Sequence, residues 1–363
     1  MKLNDLMQQI QTLAPLSLAE PWDKVGLQVG DAQQNVRKAM LCIDLTPAVV
    51  KQAIIAKAQL IVSYHPPIFE PLKTLTPGDW KTRALLDCVK HGIAVYSPHT
   101  ALDAAPQGLN HWLANGLGEG EQRVIKHASP QKQGMLVVFV PLAAANGLRE
   151  ALSQAGAGQI GQYTSCSFGV LGEGTFKGDD RSNPTIGQPG QFERVEELRM
   201  EMVFPWAIKD RLVRTLYEHH PYEEPAFNMY ELASTVRATQ SAGQGRVVTL
   251  DKPVTLETLT QRIAKHLGVK HVDVTPAVDK RGRIRTIGLC VGAGGSLLSE
   301  AGEIDAFFTG EMRYHDVLAA SQRGIHILLA GHVQTERPFL PEYRKMLAAT
   351  TGSAVNWTVA REK

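Results

Sequence analysis

Apolar residues recur at helical spacing over the first positions of the chain (Leu3, Leu6, Met7, Ile10, Leu13), which predicts an opening amphipathic helix. Pro21 to Gly30 carries no period and reads as a turn-rich piece. Three short apolar runs follow: Lys38 to Leu45 with Asp44 near its end, Leu60 to Ser63, and Ile93 to Tyr96. Their length and bounding turn residues predict strands. Between the first two, Thr46-Pro47 offers an N-cap and a proline at the first helical position, opening a helix to about Ala58. Trp80 to Lys90 and Leu109 to Leu117 are two more helices. The resulting β-α-β-α-β-α order predicts a parallel sheet.

After about residue 128 the texture changes. Met135 to Val140 reads as a strand and Leu142 to Ala155 as a helix. A Gly/Ser/Thr-rich stretch with hairpin-like pieces at Cys166 and at Gly172–Phe176 comes next. Arg194 to Pro205 is a strand and Ala207 to His219 a helix, so the segment has the β-α-β-β-α-β order of a ferredoxin-like unit. Thr235 to Gly245 is polar and is expected to be a linker. The α/β texture then resumes with a helix at Leu256 to Leu267 and a strand at Arg285 to Val291. A helix opening at Gly292-Ala-Gly-Gly-Ser296 and a strand at Asp305 to Thr309 come next. A helix, a turn, the buried run Ile325 to Ala330 and a helix from Pro338 to Ala349 finish the chain. The fold class expected is α/β: two halves, residues 1–127 and 241–363, form one domain, and a ferredoxin-like α+β domain, 128–240, interrupts it.

Composition narrows the class without naming a reaction. A chain of 363 residues with 44% hydrophobic and 20% charged positions is an ordinary globular protein of about two domains, not a disordered one. The net charge of +2 gives no electrostatic footprint for nucleic acid or an anionic membrane, so neither is expected as a partner. The first residues lack the apolar core of a signal peptide and no apolar run has the length of a membrane span. A cytoplasmic setting is expected. Cys42, Cys88, Cys166 and Cys290 are far apart, which favours buried thiols over disulfides or zinc ligands.

The candidate chemistry lies in histidine–carboxylate pairs four residues apart. Glu311/His315, His332/Glu336 and His99/Asp103 each have the spacing of one helical turn. Such a pair on a polar helix is ordinarily a surface ion pair. Here His332 follows a buried strand and a glycine, and His99 follows Ser97-Pro98 at another strand's end. His65 is pinned by Pro66 and Pro67 at the end of a third. Sites in parallel α/β sheets form at that edge, and imidazole with carboxylate suits a divalent transition metal. Other features are weaker. The turn Gly292–Ser296 can cradle an anion through backbone N–H groups but is neither a Walker nor a dinucleotide fingerprint. Trp22 and Asp23 either edge a site or pack a loop. His219, His220, Glu223 and Glu224 read as a turn with solvated charges.

Four segments, Ser63-Tyr-His-Pro-Pro-Ile-Phe69, Ser97-Pro-His-Thr-Ala-Leu-Asp103 with the following Ala-Ala-Pro-Gln-Gly-Leu-Asn110, Thr309-Gly-Glu-Met312 and Gly331-His-Val-Gln-Thr-Glu336, together resemble the signatures of the GTP cyclohydrolase I type 2-like family. It is also called the NGG-one-interacting factor three family. The segment Pro221-Tyr-Glu-Glu-Pro-Ala-Phe227 resembles the CutA/PII-like insertion of its longer members. The resemblance implies a toroidal homohexamer with a dinuclear centre in each subunit. It carries metal ligation onto His65, Asp103, His332 and Glu336, and places Glu311, His315 and His99 in the same pocket as candidate catalytic groups. Many members have two adjacent histidines where this chain has Tyr64-His65. One or two divalent ions (Zn, Fe, Mn or Mg) per subunit are therefore expected. The implied function is a metal-dependent hydrolase, GTP cyclohydrolase-like, acting on a nucleotide or related small molecule. A metal-dependent phosphoesterase and a non-enzymatic metal-binding hexamer working through protein partners are the alternatives.

Overall fold

The computed structural model describes residues 1–128, 132–161, 163–233, 241–278 and 282–362. Helix α1 (Leu3–Leu13) turns Leu3, Leu6 and Ile10 inward, as its spacing predicts. Strands β1 (Gly26–Val29) and β2 (Lys38–Cys42) follow. The Thr46 hydroxyl accepts the Val49 N–H at the start of α2 (Pro47–Ala56), the capping arrangement the sequence announces. Then come β3 (Leu60–Ser63), α3 (Trp80–Lys90), β4 (Ala94–Ser97), α4 (His99–Ala104), α5 (Leu109–Asn115) and β5 (Gly120–His127).

The middle segment contains β6 (Gln133–Pro141), α6 (Ala145–Gln154), β7 (Phe168–Lys177), β8 (Phe192–Pro205), α7 (Lys209–His219) and β9 (Phe227–Leu232). The four strands form an antiparallel sheet in the order β7-β8-β6-β9. The hairpin-like pieces expected around Cys166 to Phe176 are instead one continuous strand, β7, laid along β8. Alternate residues of β6 and β8 (Leu136, Val138, Met200, Met202) pack with Leu148 and Leu152 of α6 and Leu212 and Leu216 of α7 in a core of their own.

The chain resumes with β10 (Gly243–Val254), α8 (Leu256–Leu267), β11 (Asp273–Thr275), β12 (Ile284–Cys290) and β13 (Ala306–Thr309). It ends with α9 (Tyr314–Gln322), β14 (His326–Leu329), α10 (His332–Glu336), α11 (Leu340–Thr351) and β15 (Asn356–Val359). Part of the expected linker, residues 235–240, lies outside the described residues. From Gly243 onward the linker reading fails, because the chain is already strand β10. Its glycines serve close approach: a Cβ at Gly243 would sit 2.2 Å from the Lys126 carbonyl oxygen, and one at Gly245 2.9 Å from that of Leu289. Strand β5 also escapes the apolar pattern, since it is an edge strand carrying Glu121, Gln122, Arg123 and Lys126.

One compact unit is formed by Met1–Ser129 together with Ala238–Lys363, and a second by Pro130–Arg237. The first is a mixed α/β structure with two sheets. In one, ordered β1-β4-β3-β2-β15, every neighbouring pair but β1–β4 is parallel. In the other, ordered β11-β14-β13-β12-β10-β5, the central strands β12, β13 and β14 are parallel. The chain's last strand lies in the first sheet and β5 in the second, so each sheet borrows a strand from the far half. A single apolar core contains Leu41, Val62 and Tyr96 from one sheet and Ile287, Phe308 and Leu328 from the other. At about 1.5–3 kcal/mol for each such side chain buried, separating the two halves is strongly unfavourable.

Candidate metal centre

Three strand ends of this unit converge. Strand β3 runs into Tyr64 and His65, whose N–H groups still donate to Cys42 and Ile43 O on the neighbouring β2. The Ser63 hydroxyl donates to His65 O at 2.8 Å, tightening the turn before Pro66 and Pro67. Strand β4 runs through Pro98 into α4, which carries His99 and Asp103. Helix α4 lies on β10: Gln244 Nε2 donates to Thr100 O, and the buried Arg246 guanidinium donates to the carbonyls of Ala105, Gly243 and Gly245. Strand β14 leads through Ala330 to Gly331, whose φ of 93° turns the chain into α10 with His332 and Glu336.

His65, His332 and Glu336 bring one ligand atom each within 4.8 Å of one another and form a candidate metal-binding triad. Glu336 Oε1 is 3.0 Å from His332 Nε2 and 3.5 Å from His65 Nε2. A tetrahedral ion with ~2.0–2.1 Å bonds needs donors ~3.3 Å apart. Both outer ring nitrogens are anchored: His65 Nδ1 lies 3.0 Å from Asp44 Oδ1, and His332 Nδ1 3.0 Å from Glu311 Oε1. A carboxylate behind each histidine is the arrangement that fixes the tautomer and aims the other nitrogen at a cation. Glu336 is 2% exposed, and its Oε2 has no hydrogen-bond partner among the described residues. A buried carboxylate oxygen without a partner is open to a water or to a cation.

The surrounding backbone leaves room for one. At Gly292 (φ +62°) a Cβ would lie 2.9 Å from Glu336 Oε1 and 3.2 Å from His332 Nε2. The Thr335 hydroxyl accepts the Gly292 N–H and donates to His332 O. Asn110 Oδ1 accepts the Val291 N–H while its amide donates to Asp103 O. These bonds tie the β12 turn to α10 and to the segment after α4.

The charges agree with a cation site. Burial opposes a charge on His65, but its bonds to Asp44 and Glu336 carry its pKa up to about 10. The Glu336 bond, against the opposing effect of burial, lifts His332 to about 9. Burial pushes the Glu336 carboxyl up, yet the two imidazoles outweigh it and hold the pKa below its usual value. Both histidines are thus held protonated at neutral pH, and a divalent ion binding the triad would have to replace those protons.

Asp103 lies in the same cavity of about 290 Å³ as His332, Glu336 and His99 but outside the triad. Its Oδ1 accepts the buried Tyr64 hydroxyl at 2.6 Å, and burial raises its pKa to about 7. Tyr64, buried beside Asp103 and Glu336, is pushed well above the ordinary phenol value. His99 and Asp103 share one helical turn without bonding each other. His99 Nδ1 instead meets Asp23 Oδ1 at 2.8 Å, and the other Asp23 oxygen accepts the Thr100 N–H and hydroxyl. The backbone at His99 has φ +31°, an uncommon value for a residue with a Cβ.

The pair Glu311/His315 does not share a helical face. Helix α9 starts at Tyr314, because Glu311 N–H is taken by Gly292 O in the preceding loop. Glu311 reaches His332 instead, whereas His315 is exposed with its ring edge-on to Tyr314. In the middle segment, His220 is buried, its Nε2 3.0 Å from Phe139 O and its Nδ1 accepting the Tyr222 N–H. It holds a turn and is not the solvated charge the composition suggests.

Two groups escape a reading by spacing. Asp44 lies just past the end of β2, beside the end of β3, so only strand adjacency places it against His65. Asp23 sits in the aperiodic loop before β1. The cysteines are free thiols, with Cys42, Cys88 and Cys290 buried, and no helix among the described residues is long and apolar enough to cross a membrane.

A profile of the Duf34/NIF3 (NGG1p interacting factor 3) family matches residues 1–363. The "GTP cyclohydrolase 1 type 2 homolog" of Halalkalibacterium halodurans is 33% identical over 329 residues, which is 90% of this chain and 87% of that protein. The "NIF3-like protein 1" of Rattus norvegicus is 34% identical over 360 residues, 98% of this chain and 89% of its own. Among solved structures, a Bacillus cereus protein related to NIF3 superposes with a TM-score of 0.66 at 30% identity, covering 100% of this chain and 97% of that one.

Proposed function

This chain belongs to the Duf34/NIF3 family, and we propose that it is a divalent-metal-dependent hydrolase acting on a nucleotide or related small molecule. The observation that carries the reading is the convergence of His65, His332 and Glu336, with a carboxylate behind each histidine. Two imidazoles and one carboxylate favour zinc, iron or manganese over magnesium. Asp103 is a further donor lining the same cavity; its recruitment, after release from Tyr64, would set whether one or two ions are held. When bound, such an ion acidifies water toward neutral pH and polarises an electrophile.

The remaining roles fall to residues around the triad. Asp44 and Glu311 hold the two ligand rings in place. His99, with Nδ1 committed to Asp23, has Nε2 left to give or take a proton at the cavity wall. Exposed His315 is assigned no part in this proton transfer. The printed name of the H. halodurans relative makes GTP the first substrate to try. Metal-loaded protein incubated with GTP is expected to release formate, and the release should fall at least tenfold in His99→Ala. Failure to release formate, with hydrolysis of a phosphoester instead, transfers the reading to a phosphoesterase. The assembly we assign is a homohexamer, and the β-α-β-β-α-β segment with its β7-β8-β6-β9 sheet is assigned to the ferredoxin-like class.

A further inference from the structure

A second cavity, of about 460 Å³, shares His99 with the triad's own cavity and is lined as well by the triad's His65. Its walls are aromatic and apolar: Phe69, Leu72 and Trp80, with Pro66 and Pro67 at its base. Trp80 is 51% exposed, Leu72 44% and Phe69 42%. Trp22, itself exposed, stands between the two cavities, with its ring 6.1 Å from that of Phe69 and 6.2 Å from that of His99. Single exposed apolar side chains need no explanation, but several around one concavity beside a candidate catalytic centre do. Its polar groups include the carboxylates of Asp44 and Glu70, with Asp44 Oδ1 held by His65, and Lys81 over the Trp80 ring.

We infer that this cavity is a subsite for a planar heteroaromatic ring bearing N–H donors, such as a purine base of the guanine type. Aromatic and proline faces offer stacking to a flat ring, and carboxylate oxygens at the rim match N–H donors at its edge. The cavity volume falls in the range that accepts small ligands. His99 lines both cavities and the triad's His65 lines this one, so a ring held here places the rest of the molecule next to the triad. The inference rests on the nucleotide reading above for its substrate class, and it adds which residues recognise the base.

The test is a titration of the full chain with guanosine and GMP, followed by tryptophan fluorescence, with ribose 5-phosphate as the ring-free control. Guanosine and GMP are expected to quench saturably, and ribose 5-phosphate to bind at least tenfold more weakly. Trp80→Ala and Phe69→Ala should each weaken GMP at least tenfold, while Trp80→Phe stays within about threefold. His332→Ala should retain the quench, because His332 does not line the subsite. Three results overturn the inference: equal binding of ribose 5-phosphate, unchanged GMP binding in Trp80→Ala and Phe69→Ala, or GMP binding lost in His332→Ala alone. If size-exclusion chromatography shows that Trp80→Ala or Phe69→Ala breaks up an oligomer, the aromatic face is covered by a second copy and the subsite is likewise excluded. A wild-type chain that quenches with GMP yet holds no metal after loading contradicts the hydrolase reading and leaves the base subsite standing.

Discussion

Individual side chains at this centre are held from behind. Asp44 and Glu311 each sit 3.0 Å from a histidine nitrogen that faces away from the triad. Removing such an outer partner typically costs 10–100-fold in metal affinity. Asp44→Asn and Glu311→Gln are therefore expected to weaken the ion about that much in a chelator competition, with the fold intact by circular dichroism. At Gly292 a methyl group meets both Glu336 and His332, at a left-handed φ that disfavours any Cβ. Gly292→Ala should lower thermal stability by ~1–2 kcal/mol and reduce bound metal together. The pH dependence has a definite sign. His65 and His332 have folded pKa values raised to about 10 and about 9, above the usual 6.5. Their protonated bonds stabilise the metal-free fold fully below pH 6.5, and that stabilisation is lost as pH climbs through 9 and 10. Melting in chelator should thus fall between pH 7 and 10, and a bound divalent ion should flatten that slope because it has taken the place of the protons.

Secondary-structure elements show which features were legible from the pattern alone. Strand β3, helix α3 and helix α8 have the bounds the apolar periods predict, because each is buried on a regular face and stopped by a cap, turn or proline. The pair His332/Glu336 was also legible, since both residues lie in one short helix. The pair Glu311/His315 was misleading: spacing carries a helical meaning only inside a helix, and α9 begins three residues after Glu311. Strands β5 and β10 were hidden for opposite reasons, edge charges in one and close-packed glycines in the other. Asp44 and Asp23 needed strand order and loop path, neither of which is local. Between elements, Asn110 links α5 to the end of β12 through the Val291 N–H. Asn110→Ala leaves that buried donor unpaired and should cost ~1–3 kcal/mol, measured by urea unfolding.

At the scale of the whole molecule, the two halves of the α/β unit exchange strands and share one core, so the triad is assembled from segments some 270 residues apart only when that unit is complete. Unit Pro130–Arg237 has a separate core and supplies none of the triad residues. Replacing residues 130–237 with a short flexible linker is expected to leave metal stoichiometry unchanged, as read by elemental analysis of the shortened chain. The central claim is that His65, His332 and Glu336 meet at one cation, and elemental analysis of the full-length protein purified without chelator tests it most directly. At least one equivalent of a divalent transition metal per chain is predicted, falling to near zero in His332→Ala and Glu336→Ala variants that remain folded. A wild-type chain without metal after loading, or variants that keep the full complement, would contradict it.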